Sequence, residues 1–132
     1  MSALNVVSIL SDVDIVAARM AARDAARAIG FGAVDQARIA TATSELTRNI
    51  VVCAGEGSVT ISRLEVGGRR GIEIVFHNTG PAMVDHNQPF QEDVTRNGFG
   101  VGVSAARRLM DELELQNITG METIVICRKW LR

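Results

Sequence analysis

Three glycines at alternate positions, Gly98, Gly100 and Gly102, stand immediately before an apolar pattern of helical spacing carried by Val103, Ala106, Leu109, Met110 and Leu113. No other stretch restricts the architecture as much. Residues without side chains let backbone N–H groups come close to a phosphate, and the helix that follows adds the positive end of its dipole. Such a turn serves a polyphosphate ligand or close packing of the helix, and the glycines alone are compatible with both. The spacing GxGxG differs from the GxGxxG of dinucleotide-binding folds, and the Lys and Ser/Thr of a Walker loop are missing. Rossmann and P-loop architectures are set aside on that ground.

Upstream, residues 5–10 (NVVSIL) suit a strand, and Ser11 followed by Asp14 resembles a capping box that starts a helix. The apolar stripe of that helix is Ile15, Ala18, Ala22, Ala25 and Ile29, while Arg19, Arg23 and Arg27 form a separate row. The row is a solvated face or a contact for an acidic partner. Gly30-Phe31-Gly32 ends the helix, and Asp35 suits the N-cap of a second one. In the second helix the stripe is Ile39, Ala42, Leu46, Ile50 and Cys53, which places Glu45 and Asn49 beside it, four residues apart and overlooking a cleft. A Glu can take a proton or hold a water. An Asn oxygen suits a hard cation such as Mg²⁺, although a solvated helix face produces the same pair.

Residues 58–66 and 71–77 read as a hairpin around Gly67-Gly68-Arg69-Arg70, with Ile72, Ile74 and Phe76 alternating with Glu73, Val75 and His77, as in a sheet covered on one side. His77 reads as a strand-end residue. A turn-forming group follows, Asn78-Thr79-Gly80-Pro81-Ala82-Met83, then a polar loop or short helix over residues 84–97. Residues 114–118 and 122–130 form a second hairpin.

A chain of 132 residues is the size of one domain, expected to span 1–132. A net charge of −1 provides no basic field for nucleic acid or an anionic membrane, so neither is expected as a partner. No run of 18 apolar residues suggests a membrane span. Cys53 and Cys127 have no CxxC spacing and read as buried reduced thiols, which fits a cytoplasmic location.

The order of these features is informative: a helix with Glu45 and Asn49, a hairpin ending at Asn78-Thr79-Gly80, a variable loop, then GFGVG at a helix start. It resembles the GHKL superfamily of ATP-binding domains, to which gyrase, histidine kinases and MutL belong, where an N-box, a first glycine box, a lid and a second glycine box occur in this succession. The short form resembles the anti-sigma-type serine/threonine protein kinases, and in particular the RsbT-type kinases of the stressosome. The likeness covers nearly the whole chain, through DIVAAR at 14–19, GFG at 30–32, VDQARI at 34–39, Ser44-Glu45-Leu46 with Arg48-Asn49-Ile50, RLMDE at 108–112 and KWLR at 129–132.

The resemblance implies an α/β two-layer sandwich of the GHKL (Bergerat) type, with a mixed, mostly antiparallel sheet and helices on one face. It implies ATP and Mg²⁺ as cofactors, with Asn49 on the metal and Glu45 orienting or deprotonating the attacking hydroxyl. Asn78, Gly80, Ala82 and Met83 would border the base, and Gly98, Phe99, Gly100, Val101 and Gly102 the phosphates. The implied partners are STAS-domain proteins of the RsbS/RsbR kind and an RsbU-like phosphatase. One box departs from the pattern: the usual Asp-x-Gly-x-Gly reads Asn78-Thr79-Gly80-Pro81-Ala82. An Asn keeps an acceptor oxygen for the adenine amine but loses charge assistance, about 1 kcal/mol. Asn78 and Ala82 therefore also suit a nucleotide-poor switch protein that binds STAS-domain partners without catalysis, and a third reading is an anti-sigma factor that sequesters a sigma subunit.

Overall fold

The first strand, β1 (Ser2–Ile9), runs into helix α1 (Val13–Ile29) through a tight junction. There the Asp14 carboxylate accepts the backbone N–H groups of Leu10 (2.7 Å) and Ser11 (3.1 Å), the reach-back half of a capping box. Gly30 closes α1 with φ 122°, and its N–H bonds the carbonyls of Ala26 and Arg27. These details come from a computed structural model that describes residues 2–54, 56–79, 99–118 and 122–132.

Helix α2 (Ala33–Asn49) begins before the Asp35 expected to cap it. Extended Gly32 is the N-cap, its carbonyl accepting the Gln36 N–H at 2.8 Å, while the Gln36 side chain bonds the Phe31 carbonyl at 2.8 Å. Asp35 instead sits in the first turn, where its charge suits the helix dipole, and pairs with Arg38 at 3.0 Å. One turn of π-helix, Ile50–Ala54, extends α2 toward β2 (Gly57–Val66). Gly67 and Gly68, both at positive φ (58° and 81°), form the two-residue turn into β3 (Arg69–Thr79). Helix α3 (Phe99–Leu109) and strands β4 (Glu112–Ile118) and β5 (Glu122–Trp130) complete the order. The helical pattern expected to reach Leu113 stops at Leu109, and Leu113 belongs to β4.

The five described strands are ordered β1-β2-β3-β5-β4, and every described pairing is antiparallel. Cross-strand register puts Val59, Phe76 and Val125 in one row and Ile61, Ile74 and Cys127 in the next. These residues are buried, and together with Ala18, Ala22, Ile29, Ile39, Leu46 and Val103 of the helices they form one core. The three described helices cover that face, so among the described residues the sheet is covered on one side, as the alternation in β3 implies. Each fully buried Ile or Leu contributes about 1.5–3 kcal/mol relative to exposure, while the alanines of α1 let it approach α2 closely.

Helix α2 packs against α1 on one flank and α3 on the other. Burial on both flanks explains why its polar residues Thr43, Thr47 and Asn49 are enclosed as completely as its apolar stripe. Thr43 meets the cost of burial by donating to the Ile39 carbonyl at 2.8 Å. At the opposite end of the helix layer, buried Lys129 donates to the Leu109 carbonyl at 2.9 Å and lies near Asp111 (3.7 Å) and Asp35 (3.9 Å). Asp111 in turn accepts the Trp130 N–H and the Arg132 guanidinium, at 2.8 and 2.7 Å. The C-terminal end of α3 is thus tied to β5 and to the start of α2.

Candidate functional site

Asn49 is the last residue of α2 and is 4% exposed. Its carboxamide lies against the backbone of Gly102 in α3: a Cβ placed on Gly102 would stand 2.7 Å from Nδ2, 3.1 Å from Oδ1 and 3.2 Å from Cγ. The end of α2 and the start of α3 therefore meet at this amide. One helical turn earlier, Glu45 is partly exposed and ion-paired with Arg48 at 2.9 Å. Glu45 stands at the rim, as expected for a residue that meets solvent or a partner. Asn49 is deeper than a position beside the apolar stripe suggests, because α3 covers it.

Asn78 lies near the end of β3, on the helix-covered face, and is 1% exposed. Its cross-strand neighbours are Gly57 of β2 and Thr123 of β5. Gly57 is required by close approach: a Cβ there would meet the His77 carbonyl oxygen at 2.2 Å, Ile50 Cγ2 at 3.0 Å and Asn78 Cα at 3.1 Å. Ile50, the first residue of the π-helical turn and directly after Asn49, thereby presses on the β2–β3 pair beside Asn78. The π-turn, a feature frequent at functional sites, sets the geometry of this junction.

Asn78 Nδ2 has no hydrogen-bond partner among the described residues, and neither do Ser44 Oγ and Thr47 Oγ1 of α2. A buried amide left without a partner costs about 1–3 kcal/mol, which a ligand or water that bonds it would return. An Asn at this place can accept from an amine and donate to an acceptor. The donor set around the junction is neutral and oxygen-rich, and the Asn49 oxygen is of the type that Mg²⁺ takes beside phosphate oxygens and water. The residues present fit a magnesium–nucleotide ligand on these two observations, the enclosed Asn49 cradle and the unpaired Asn78 amide.

Of the other sequence candidates, Phe99, Gly100 and Val101 belong to the first turn of α3, so Gly100 and Gly102 lie inside the helix rather than in a turn before it. Gly80, Ala82, Met83 and Gly98 lie outside the described residues, as does the expected loop over 84–97. Thr123, buried beside Asn78, was not a candidate from sequence. Only the β3–β5 register, a pairing 45 residues apart, brings it there. His77 points to the other face, where its Nε2 lies 2.5 Å from Glu122 Oε1.

That open face carries a separate ionic cluster. Arg128 bonds Glu73 (2.8 Å), Glu112 (3.1 Å) and Glu114 (2.7 Å), Trp130 Nε1 donates to Glu112 at 2.8 Å, and Arg69 stacks 4.5 Å over the Trp130 ring. The Trp130 N–H and Arg128 hold the Glu112 carboxyl below its usual range. A groove of ≈ 420 Å³ beside this cluster, lined by Leu64, Val66 and Trp130 among others, and one of ≈ 410 Å³ lined by Val34, Ala37 and Leu109, lie away from Asn49 and Asn78. Among the described residues no helix is long and apolar enough to cross a membrane.

Comparison with known proteins bears on the family and the fold. The family model for the histidine kinase-like ATPase domain matches residues 10–129. The serine/threonine-protein kinase RsbT of Bacillus subtilis (strain 168) is 42% identical over 127 residues, covering 96% of this chain and 96% of that protein. A chain in the crystal structure of the SiaB-SiaC complex from Pseudomonas aeruginosa superposes with a TM-score of 0.59 at 14% identity, over 98% of this chain and 91% of that one, a likeness that bears on the fold.

Proposed function

The chain belongs to the histidine kinase-like ATPase domain family and, within it, to the RsbT-type serine/threonine protein kinases, and from that premise we propose that it phosphorylates a serine or threonine of a STAS-domain partner. The single observation that carries the reading is the enclosed Asn49 carboxamide at the meeting of α2 and α3, one helical turn from partly exposed Glu45. Asn49 would hold Mg²⁺, and when bound the ion supplies charge neutralisation on the phosphates. Glu45 accepts the proton of the attacking hydroxyl or orients it, a role for which a rim position is suited. The backbone at Gly98, Gly100 and Gly102 admits the phosphates, flanked by Phe99 and Val101. Asn78 accepts a hydrogen bond from the adenine amine, with Gly80, Ala82 and Met83 around the base.

The partners in this reading are STAS-domain proteins of the RsbS/RsbR kind in a partner-switching assembly. After phosphorylation the kinase leaves them to activate an RsbU-like phosphatase, all in the cytoplasm. The exposed Arg19, Arg23 and Arg27 on α1 are candidates for the contact. Incubation with Mg²⁺, γ-labelled ATP and a STAS-domain partner is expected to label a Ser or Thr of the partner, and Glu45→Gln to slow the transfer by 10²-fold or more, the order of general-base contributions. Absence of transfer at saturating ATP, or transfer indifferent to Glu45→Gln, would contradict the reading.

A further inference from the structure

We infer that Gly102 is a positioning residue for Asn49: its missing side chain makes the space in which the Asn49 carboxamide is held, so that α3 sets the orientation of the amide. The inference rests on the reading of Asn49 as the Mg²⁺ ligand and adds a role that glycine-box chemistry alone does not assign.

The backbone does not explain a glycine at 102. Gly30, Gly67 and Gly68 have the positive φ that favours glycine, whereas Gly102 does not, and it lies inside a helix, where glycine is among the poorest residues. The contact does explain it. A Cβ at 102 would stand 2.7 Å from Asn49 Nδ2, closer than real Cβ atoms come, and all three of its nearest neighbours belong to this one carboxamide. No backbone atom is among them. The least costly response to Gly102→Ala is thus a rotation of the Asn49 side chain, not a displacement of α3.

Asn49 is enclosed, so a rotated amide carries its oxygen away from its present direction. The same feature couples two parts of the site. The first turn of α3 brings the phosphate-facing backbone, and the α2 end brings the metal-facing oxygen; through Gly102 they are built against each other. Outer groups that orient a metal ligand typically change metal affinity by 10- to 100-fold.

The test compares wild type, Gly102→Ala, Asn49→Ala and the double variant, each in the full chain. Calorimetric titration with ATP, with and without Mg²⁺, measures how much the ion tightens nucleotide binding. Gly102→Ala is expected to reduce that Mg²⁺-dependent gain about tenfold or more, over and above any loss of affinity measured without the ion, and the double variant to match Asn49→Ala in that gain. Equal losses with and without Mg²⁺ would assign Gly102 to the phosphates only and overturn the inference, as would additive effects. If Asn49→Ala leaves the Mg²⁺ gain intact, the metal-ligand reading itself fails.

A second readout needs no nucleotide. The side-chain amide NMR signals of Asn49, identified by their loss in Asn49→Ala, are expected to shift in Gly102→Ala with circular dichroism unchanged. Unshifted signals in the folded variant would overturn the inference whatever the titrations show.

Discussion

In the proposed function, Asn78 is the residue on which nucleotide affinity turns. It lies on the covered face of the sheet, 1% exposed, with Nδ2 unpaired among the described residues. A carboxylate in its place would accept the adenine amine with charge assistance, a gain of about 1 kcal/mol or roughly fivefold in Kd. Asn78→Asp is accordingly expected to tighten ATP binding about fivefold in a calorimetric titration, and unchanged or weaker binding would show that this side chain does not read the base. The departure at Asn78 was visible in the sequence because the glycine box around it was recognisable. Glu45 and Asn49 were legible as candidates only with the ordered glycine boxes and the family resemblance beside them, since their spacing alone fits a solvated helix face equally well. Thr123 was not, since its place beside Asn78 depends on a long-range register that local pattern does not encode.

At the scale of elements, the π-helical turn Ile50–Ala54 and the packed ends of α2 and α3 shape the candidate site. The hairpins, the one-sided sheet and the apolar stripes of the helices follow from alternation and helical spacing, which is why they could be read directly. The enclosure of α2 on both flanks could not, because Thr43, Thr47 and Asn49 carry polar side chains that pattern reading assigns to the surface. Asp35 misled for a related reason: it is a good cap by type, but Gly32 and Gln36 already satisfy the helix start.

Strand β5 also sets a pH dependence. Cys127 faces the core, and burial pushes its thiol up from about 9 to about 12. Since the folded state holds this proton more tightly than the unfolded one, the contribution is complete below about pH 9 and is lost as pH rises toward 12. Denaturant titrations between pH 8 and 10 are expected to show a steeper alkaline loss of stability in the native chain than in Cys127→Ala, by up to about 1.4 kcal/mol per pH unit. Parallel slopes would mean that the thiol titrates as if exposed.

Over the whole molecule, the helix layer is fixed at two places. Lys129 ties the C-terminal end of α3 and the start of α2 to β5, and at the other end Asn49 and Gly102 bring the same two helices together beside the Ile50, Gly57 and Asn78 junction. One end of the layer is closed by ion pairs, while the other presents enclosed neutral polar groups. The open sheet face, with its Arg128 cluster and groove, is chemically separate from it. The proposed function therefore places nucleotide at the Asn49 end of the helix layer. Hydrogen exchange on adding ATP and Mg²⁺ tests this most directly. Protection is expected in residues 45–54, 74–79 and 99–104, with residues 60–66 and 112–116 unchanged, whereas protection confined to the latter two segments, around Arg128 and Trp130, would contradict the claim.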